Sequence, residues 1–323
     1  MYRIPDELLH GPFTLERSRE LGLPRGVLAR AFLRLHHGVW VHQHHRMTHD
    51  DRVVAARLAL PDDAYLTGIS RLQQLGLDFG PRIPVRFVVQ GDHHLALDGV
   101  FLHRTKRLPP CDDVGVTVEA AYISYCSLAR VIDAIKVGDW LLRRGHLTNE
   151  SLKTLALRDL WRAGSQEALW VIDHLDGRSR SLPESETRAL LEFAGLPRPE
   201  LNVALDDGPQ PQVIADLRFM PWGVVVEYDG SHHQLERPQY VLDIGRYAWM
   251  RGHGVPYVQV THEKLRHPRT LVGEVYALLV SHGYAGPPPL FGERWIVLFG
   301  RLSDAVGARD RSPARPLGRS AVS

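Results

Sequence analysis

Residues 213–233 read VIADLRFMPWGVVVEYDGSHH, and the fold of the second half of the chain depends on how that stretch pairs with itself. Two apolar runs of strand length, rich in Val, Ile, Leu and Phe, flank Pro221-Trp222-Gly223, so the stretch predicts a β-hairpin. The first run carries Asp216; the second ends in Glu227, Tyr228, Asp229 and Gly230. Side chains alternate between the faces of a strand, which puts Glu227 and Asp229 on one side and Tyr228 on the other. Loop length then sets the pairing. A loop of Pro221-Trp222 places Asp216 opposite Glu227, whereas a three-residue loop places it opposite Tyr228, on the wrong face unless a bulge restores it. Pro-Trp-Gly favours a type I turn followed by a left-handed glycine, so a bulge is expected. Carboxylates at the ends of interior strands carry a desolvation cost. A hard, oxygen-preferring cation such as Mg²⁺ would offset it. The ordinary roles for such residues are a solvated turn, for which Asp-Gly is a frequent pair, or a partner for a nearby arginine.

Upstream, Ser181-Leu182-Pro183-Glu184 and the following SETRALLEFAG predict a helix, with Ser181 as N-cap, Pro183 in the first turn and Gly195 as the stop. Glu184 stands three residues after Ser181, the spacing of a capping box. Glu184, Arg188 and Leu191 share a helical face, which also allows an i,i+4 ion pair between the first two.

Taken in order, Glu184-Ser185-x-x-Arg188, Gly195-Leu196-Pro197, Asp216, Glu227-x-Asp229-Gly230-x-x-His233 and Asp243-x-x-Arg246 resemble the DUF559 family. That family is related to the very-short-patch-repair endonucleases within the PD-(D/E)XK nuclease superfamily. The resemblance covers residues 181–283, the size of one domain. It implies a restriction-endonuclease-like fold, a mixed sheet flanked by helices in the order helix, three-stranded meander, helix, strand and helix, around a Mg²⁺- or Mn²⁺-dependent phosphodiesterase site. Matched residue by residue, Asp216 and Glu227 fall on the metal-binding acids and Glu184 on the acid of the first helix. Asp229 stands where the wider superfamily has Lys, as it does in the DUF559 pattern itself. His233 matches the family histidine, a candidate general base or acid, and Arg246 could supply the positive charge that the lysine does not. Phosphodiester hydrolysis needs these residue types, because charge on the phosphate must be neutralised and a water made nucleophilic. An imidazole titrating near neutrality can take or return a proton.

Working back to the start, residues 12–47 predict a short helix, a turn at Leu21-Gly22-Leu23-Pro24, a second helix with Leu28, Phe32 and Leu33 on one face, and a hairpin around Gly38. This layout resembles the winged helix-turn-helix of abortive-infection type IV antitoxins. In such a module the second helix enters the major groove. Arg25, Arg30 and Arg34 are the candidate DNA contacts; their ordinary role is a solvated face on a docking module. The histidines at 36, 37, 42, 44, 45 and 49 fit no familiar zinc spacing and have no cysteine partners nearby.

Residues 50–177 read as a mixed α+β domain. Helices are expected at 50–60 and 70–75, short strands at 85–90, 100–104 and 114–118, and a helical pattern through Leu128, Val131, Ile132 and Ile135 to Trp140, Leu141 and Leu142. After the hairpin, 238–254 predicts a helix bearing Asp243 and Arg246, 255–261 a strand, and 268–282 a last helix. The tail, 285–323, opens with Pro287-Pro288-Pro289 and from Leu302 onward is rich in Arg, Pro, Ser and Gly; it is expected to be largely disordered, with 295–299 a short strand or loose. The expected domains are therefore 1–49, 50–177, 178–284 and the tail.

A chain of 323 residues has room for two or three cores. No apolar run is long enough to span a membrane. The first residues lack the layout of a signal peptide, and Cys111 and Cys126 form no disulfide pattern, so a cytoplasmic protein is expected. With a net charge of only +2, DNA contact would have to come from local patches. The function expected is a Mg²⁺-dependent DNA endonuclease in repair or phage defence. The competing class is a non-catalytic DNA-binding regulator of the antitoxin type.

Overall fold

The computed structural model describes residues 3–93, 95–206, 213–230 and 237–309, with 237–244 and 308–309 described by backbone alone. The chain is a mixed α/β protein with two compact units, Met1–Ser124 and Tyr125–Ser323.

In the first unit a 3-10 turn at Asp6–Leu9 leads to β1 (Phe13–Thr14), α1 (Leu15–Glu20), α2 (Arg25–Ala31), β2 (Phe32–His36) and β3 (Val39–His42). The three strands form an antiparallel sheet in the order β1-β3-β2. Thr14 caps α1, its hydroxyl accepting the Arg17 N–H at 3.1 Å. Leu8, Phe13, Leu23, Leu28 and Phe32 form the core beneath. The helix expected to carry Phe32 and Leu33 stops at Ala31. Both residues belong to β2, paired with His42 and Val41, and Leu33 is exposed. Ladder pairing and burial of the Phe32 ring against Phe13, 5.2 Å between centroids, outweigh the helical spacing. Gly38 turns the hairpin with a φ of 74°.

The unit continues with α3 (His49–Ala59), β4 (Tyr65–Leu66), α4 (Gly68–Gln74), β5 (Val85–Gln90), β6 (Val100–Thr105) and α5 (Val118–Cys126), which runs across the boundary between the units. Its sheet runs β4-β5-β6, with β4 antiparallel and β6 parallel to β5. The strand expected at 114–118 is absent. Gly115 and Val116 make only single bridges, to Leu66 and Cys111, and Val118 already opens α5. The Asp112 carboxylate accepts the N–H groups of Val114 and Gly115 at 2.8 and 2.9 Å, a local turn that takes the place of a ladder.

The second unit contains α6 (Val131–Arg143), α7 (Asn149–Arg158), α8 (Ser165–Ile172), α9 (Leu182–Phe193), β7 (Glu200–Ala204), β8 (Ile214–Phe219), β9 (Val224–Tyr228), α10 (Arg237–Gly252), β10 (Tyr257–Val260), α11 (His262–Leu265), α12 (Pro268–Ser281), α13 (Glu293–Phe299) and α14 (Leu302–Arg309). Strands β7, β8 and β9 form an antiparallel meander, and β10 adds parallel to β9 on its other side. Helices α9 and α12 pack on each other and on the sheet, and α10 packs through Met250, which joins Ala215 and Val225 in one buried cluster.

Two expectations are corrected here. The boundary at 177/178 would separate α6 from α9, yet these helices share a core and a buried ion pair, Arg188 to Asp139 at 2.8 Å. Residues 125–177 therefore belong with the second unit. Within the tail expected to be disordered, residues 293–299 and 302–309 are helical. Trp295, Leu298 and Leu302 are buried, and α13 lies against α6 and α9, so apolar burial orders a segment whose composition pointed to disorder. Among the described residues no helix is long and apolar enough to cross a membrane.

Candidate functional site

The site is built on the β8–β9 hairpin. Met220–Trp222 forms a 3-10 turn and Gly223 closes it with a φ of 64°, a conformation that favours glycine. Phe219 pairs with Val224, Arg218 with Val225 and Leu217 with Val226, without a shift. The connection is thus four residues long, and one further step in the same register brings Asp216 across from Glu227. The expected bulge is absent, because an even-numbered connection preserves the parity by itself.

At that step carboxylates replace carbonyls as backbone acceptors. The Asp216 N–H donates to Glu227 Oε1 at 3.0 Å, and the Tyr228 N–H donates to Asp216 Oδ2 at 2.8 Å. One oxygen of each acid is fixed in this way. The Glu227 side chain is 0% exposed and that of Asp216 13%. Burial pushes the Glu227 carboxyl up to about 8, with repulsion from Asp216 adding to it. Burial, with the nearby charge of Glu184, pushes Asp216 up to about 6.

Arg246, from α10, reaches this pair. Its Nη1 lies 2.9 Å from Glu227 Oε2 and 3.9 Å from Asp216 Oδ1. One guanidinium therefore faces two buried carboxylates. Among the described residues Glu227 Oε2 receives no aligned hydrogen bond, only this charge contact. The Tyr247 hydroxyl, buried beside the acids, has no hydrogen-bond partner among the described residues, and burial raises its phenol well above the usual value.

Glu184 serves the helix start, as its spacing suggested. Its Oε1 accepts the Ser181 hydroxyl at 2.9 Å, and its Oε2 accepts the Arg180 N–H at 2.9 Å and the Asn202 side-chain amide at 3.1 Å. It lies close enough to Asp216 to raise that acid but is committed to the cap. The expected Glu184–Arg188 pair is not formed. Arg188 instead donates to Asp139 at 2.8 Å, to the His174 carbonyl at 2.9 Å and to Glu192 at 3.1 Å, because its side chain points into the core between α6 and α9. Asp229 lies just beyond β9. Its N–H donates to the Val260 carbonyl at 2.7 Å and its carboxylate accepts the Gln259 amide, which ties it to β10. His233 and the Asp243 side chain lie outside the described residues.

Sequence reading missed Asn202, Arg180 and Asp139. Asn202 has a φ of 53° and joins the Arg178 carbonyl, at 2.7 Å, to Glu184. Nothing in the linear pattern marks a contact of this kind, which depends on β7 passing the start of α9.

Two carboxylates held side by side at fixed positions, with the buried Glu227 Oε2 receiving no aligned hydrogen bond among the described residues, suit a hard divalent cation. Asp216 and Glu227 would hold it. Among the described residues no group of three His, Cys, Asp or Glu side chains gathers in a metal-holding set; Glu184, the third acid expected to join them, has both oxygens engaged at the helix start.

In the first unit Arg25 and Arg30 are exposed at the start and in the last turn of α2. Arg34 falls on β2 rather than on the helix, with its guanidinium donating to the His36 carbonyl at 3.2 Å and to His37 Nδ1 at 2.8 Å. His45 contacts the Asp51 carboxylate at 2.9 Å. Cys111 is exposed and Cys126 buried, and they form no disulfide. No family model matches the chain, and no curated protein matches it in sequence.

Proposed function

We propose that the second unit contains a restriction-endonuclease-like domain of the DUF559 type, and that the chain is a Mg²⁺- or Mn²⁺-dependent endonuclease hydrolysing DNA phosphodiester bonds, in repair or phage defence. The observation that carries this reading is the meander β7-β8-β9 with β10 parallel to β9, holding Asp216 and Glu227 side by side on adjacent strands with Arg246 delivered between them by the intervening helix. The succession α9, meander, α10, β10 and α12 follows the order the family resemblance implies.

A divalent cation held by Asp216 and Glu227 would supply charge neutralisation at the phosphate and a water of lowered pKa. The chain's own residues have three tasks. The backbone N–H groups of Asp216 and Tyr228 orient the two carboxylates. Arg246 brings a positive charge that can act on a phosphate oxygen, a role suited to its planar, permanently charged group. His233 is the candidate for moving the proton. In the first unit, α1, α2 and the three-stranded β1-β3-β2 sheet support a winged helix-turn-helix at 1–49, with Arg25 and Arg30 as phosphate contacts. A DNA substrate would place the protein in the cytoplasm.

The test is cleavage of supercoiled plasmid and of labelled single strands with Mg²⁺ or Mn²⁺. Wild type should cut only with metal, and Asp216→Ala should lower the rate by about 10²-fold or more. Cutting that survives the substitution would remove the site from this hairpin.

One observation favours a second reading, a non-catalytic DNA-binding regulator of the antitoxin type. Asp229, at the position of the superfamily lysine, is tied to Gln259 and supplies a carboxylate where the superfamily has a cation. A protein that shifts duplex DNA in a gel, loses that shift in Arg25→Ala/Arg30→Ala and never cuts would fit the regulator.

A further inference from the structure

We infer that Arg246 is a built-in competitor for the metal position: it partly compensates Asp216 and Glu227 by occupying the place between them, and it must withdraw for a divalent cation to enter. This rests on the nuclease reading of the same site.

Each acid has one oxygen already assigned. Glu227 Oε1 accepts the Asp216 N–H, and Asp216 Oδ2 accepts the Tyr228 N–H. The two oxygens left over, Glu227 Oε2 and Asp216 Oδ1, are the two that Arg246 Nη1 approaches, at 2.9 and 3.9 Å. These are also the oxygens of the pair that no backbone N–H holds in the bonds above. A carboxylate-bound Mg²⁺ needs oxygen contacts of about 2.0–2.1 Å. A guanidinium nitrogen 2.9 Å from the same oxygen takes the side that faces Asp216, and its charge opposes a second cation there.

The arrangement also allows withdrawal. The Arg246 side chain is 22% exposed while that of Glu227 is fully buried, so the arginine, and not the acid, has a path to solvent. The Tyr247 ring lies 5.7 Å from the guanidinium carbon and offers a face for the displaced cation. Exchange would therefore couple two events. Metal entry would release Arg246 from the acids, and its guanidinium could then turn toward a phosphate. The acids have a cationic partner throughout, first arginine and then metal, so the buried pair is never left bare.

Mn²⁺ binding to the full chain, measured by calorimetry and by the loss of the free-ion electron paramagnetic resonance signal, tests this without any cleavage assay. Wild type, Arg246→Gln, Arg246→Lys and Asp216→Asn are compared. Arg246→Gln should bind Mn²⁺ about tenfold or more tighter than wild type, since one close charge contact to a buried carboxylate no longer has to be broken. Arg246→Lys should fall between them, and it decides the matter if the glutamine variant fails to fold. Asp216→Asn should lose binding. Equal or weaker binding in both Arg246 variants, with binding still lost in Asp216→Asn, overturns the competition and leaves the nuclease reading standing. No Mn²⁺ binding in any of the four proteins overturns the competition and removes the metal from the nuclease reading as well.

Discussion

Glu227 is a carboxylate without exposed surface, next to a second buried carboxylate and opposite one arginine. Its charge is therefore under-compensated, which is why its proton is held to higher pH in the folded chain than in the unfolded one. The sign of the linkage follows. The folded state binds more protons between the ordinary carboxylate value and about 8, so this contribution to stability is complete at the acid end and is lost as pH rises through that window. Glu227→Gln keeps an oxygen for the Asp216 N–H only by turning its NH₂ toward Arg246, donor to donor, so it removes the repulsion between the acids but also the acceptor the arginine faces. We expect the variant to fare better against wild type at pH 8 than at pH 5, by about 1–2 kcal/mol, because only wild type loses the proton-linked contribution over that window. Urea unfolding at both pH values, read as the difference from wild type, checks this; an equal effect at both would mean that charge is not what burdens the site. The difference is needed because other groups titrate nearby. Asp176, held down to about 2 by its arginine neighbours, is already ionised throughout this window.

The hairpin is legible as an element because its two apolar runs and the Pro-Trp-Gly between them are local signals. Its parity was not, since a type I turn with a bulge and a 3-10 turn without one suit the same residues. What selects the second is the whole sheet, in which β8 must pair with β7 and β9 at once. Gly223 has nothing within 4 Å of where a Cβ would stand, so replacing it by alanine tests the backbone alone. Gly223→Ala should cost about 1 kcal/mol through its left-handed φ and leave Mn²⁺ binding unchanged. A thermal melt and a titration decide it, and a loss of Mn²⁺ binding would show that the turn geometry sets the carboxylate positions. The helix start at Ser181 was equally legible, as was its stop at Gly195. The end of α2 was not, because Phe32 satisfies a helical face and a buried strand equally well until its partner strand is known.

Across the whole molecule, the second unit is held together by a contact between residues 49 apart. Arg188 and Asp139 are both essentially without solvent exposure, and Asp139 also accepts the Asp176 N–H at 2.6 Å. Burial alone would raise the Asp139 carboxyl, as it does, and Arg188 is what keeps it compensated. Arg188→Met should therefore destabilise the chain by about 3–5 kcal/mol, and adding Asp139→Asn should recover part of that loss. Chemical denaturation of the single and double variants measures the coupling; additive effects would mean that the pair does not act as one. The amino-acid sequence by itself determined the elements whose signals are local: the hairpin, the capped helix with Glu184, the strands read at 85–90 and 100–104, and the acids as the residues most in need of a partner. Tertiary structure alone decided that Arg246 reaches Asp216 and Glu227, that Arg188 turns to Asp139 rather than Glu184, and that α6 and the C-terminal helices share the core of the sheet-bearing unit. The physical reason is range. Caps, turns and alternation are written within a few residues, whereas the partner of a buried charge is whichever opposite group the packing of distant elements brings within reach.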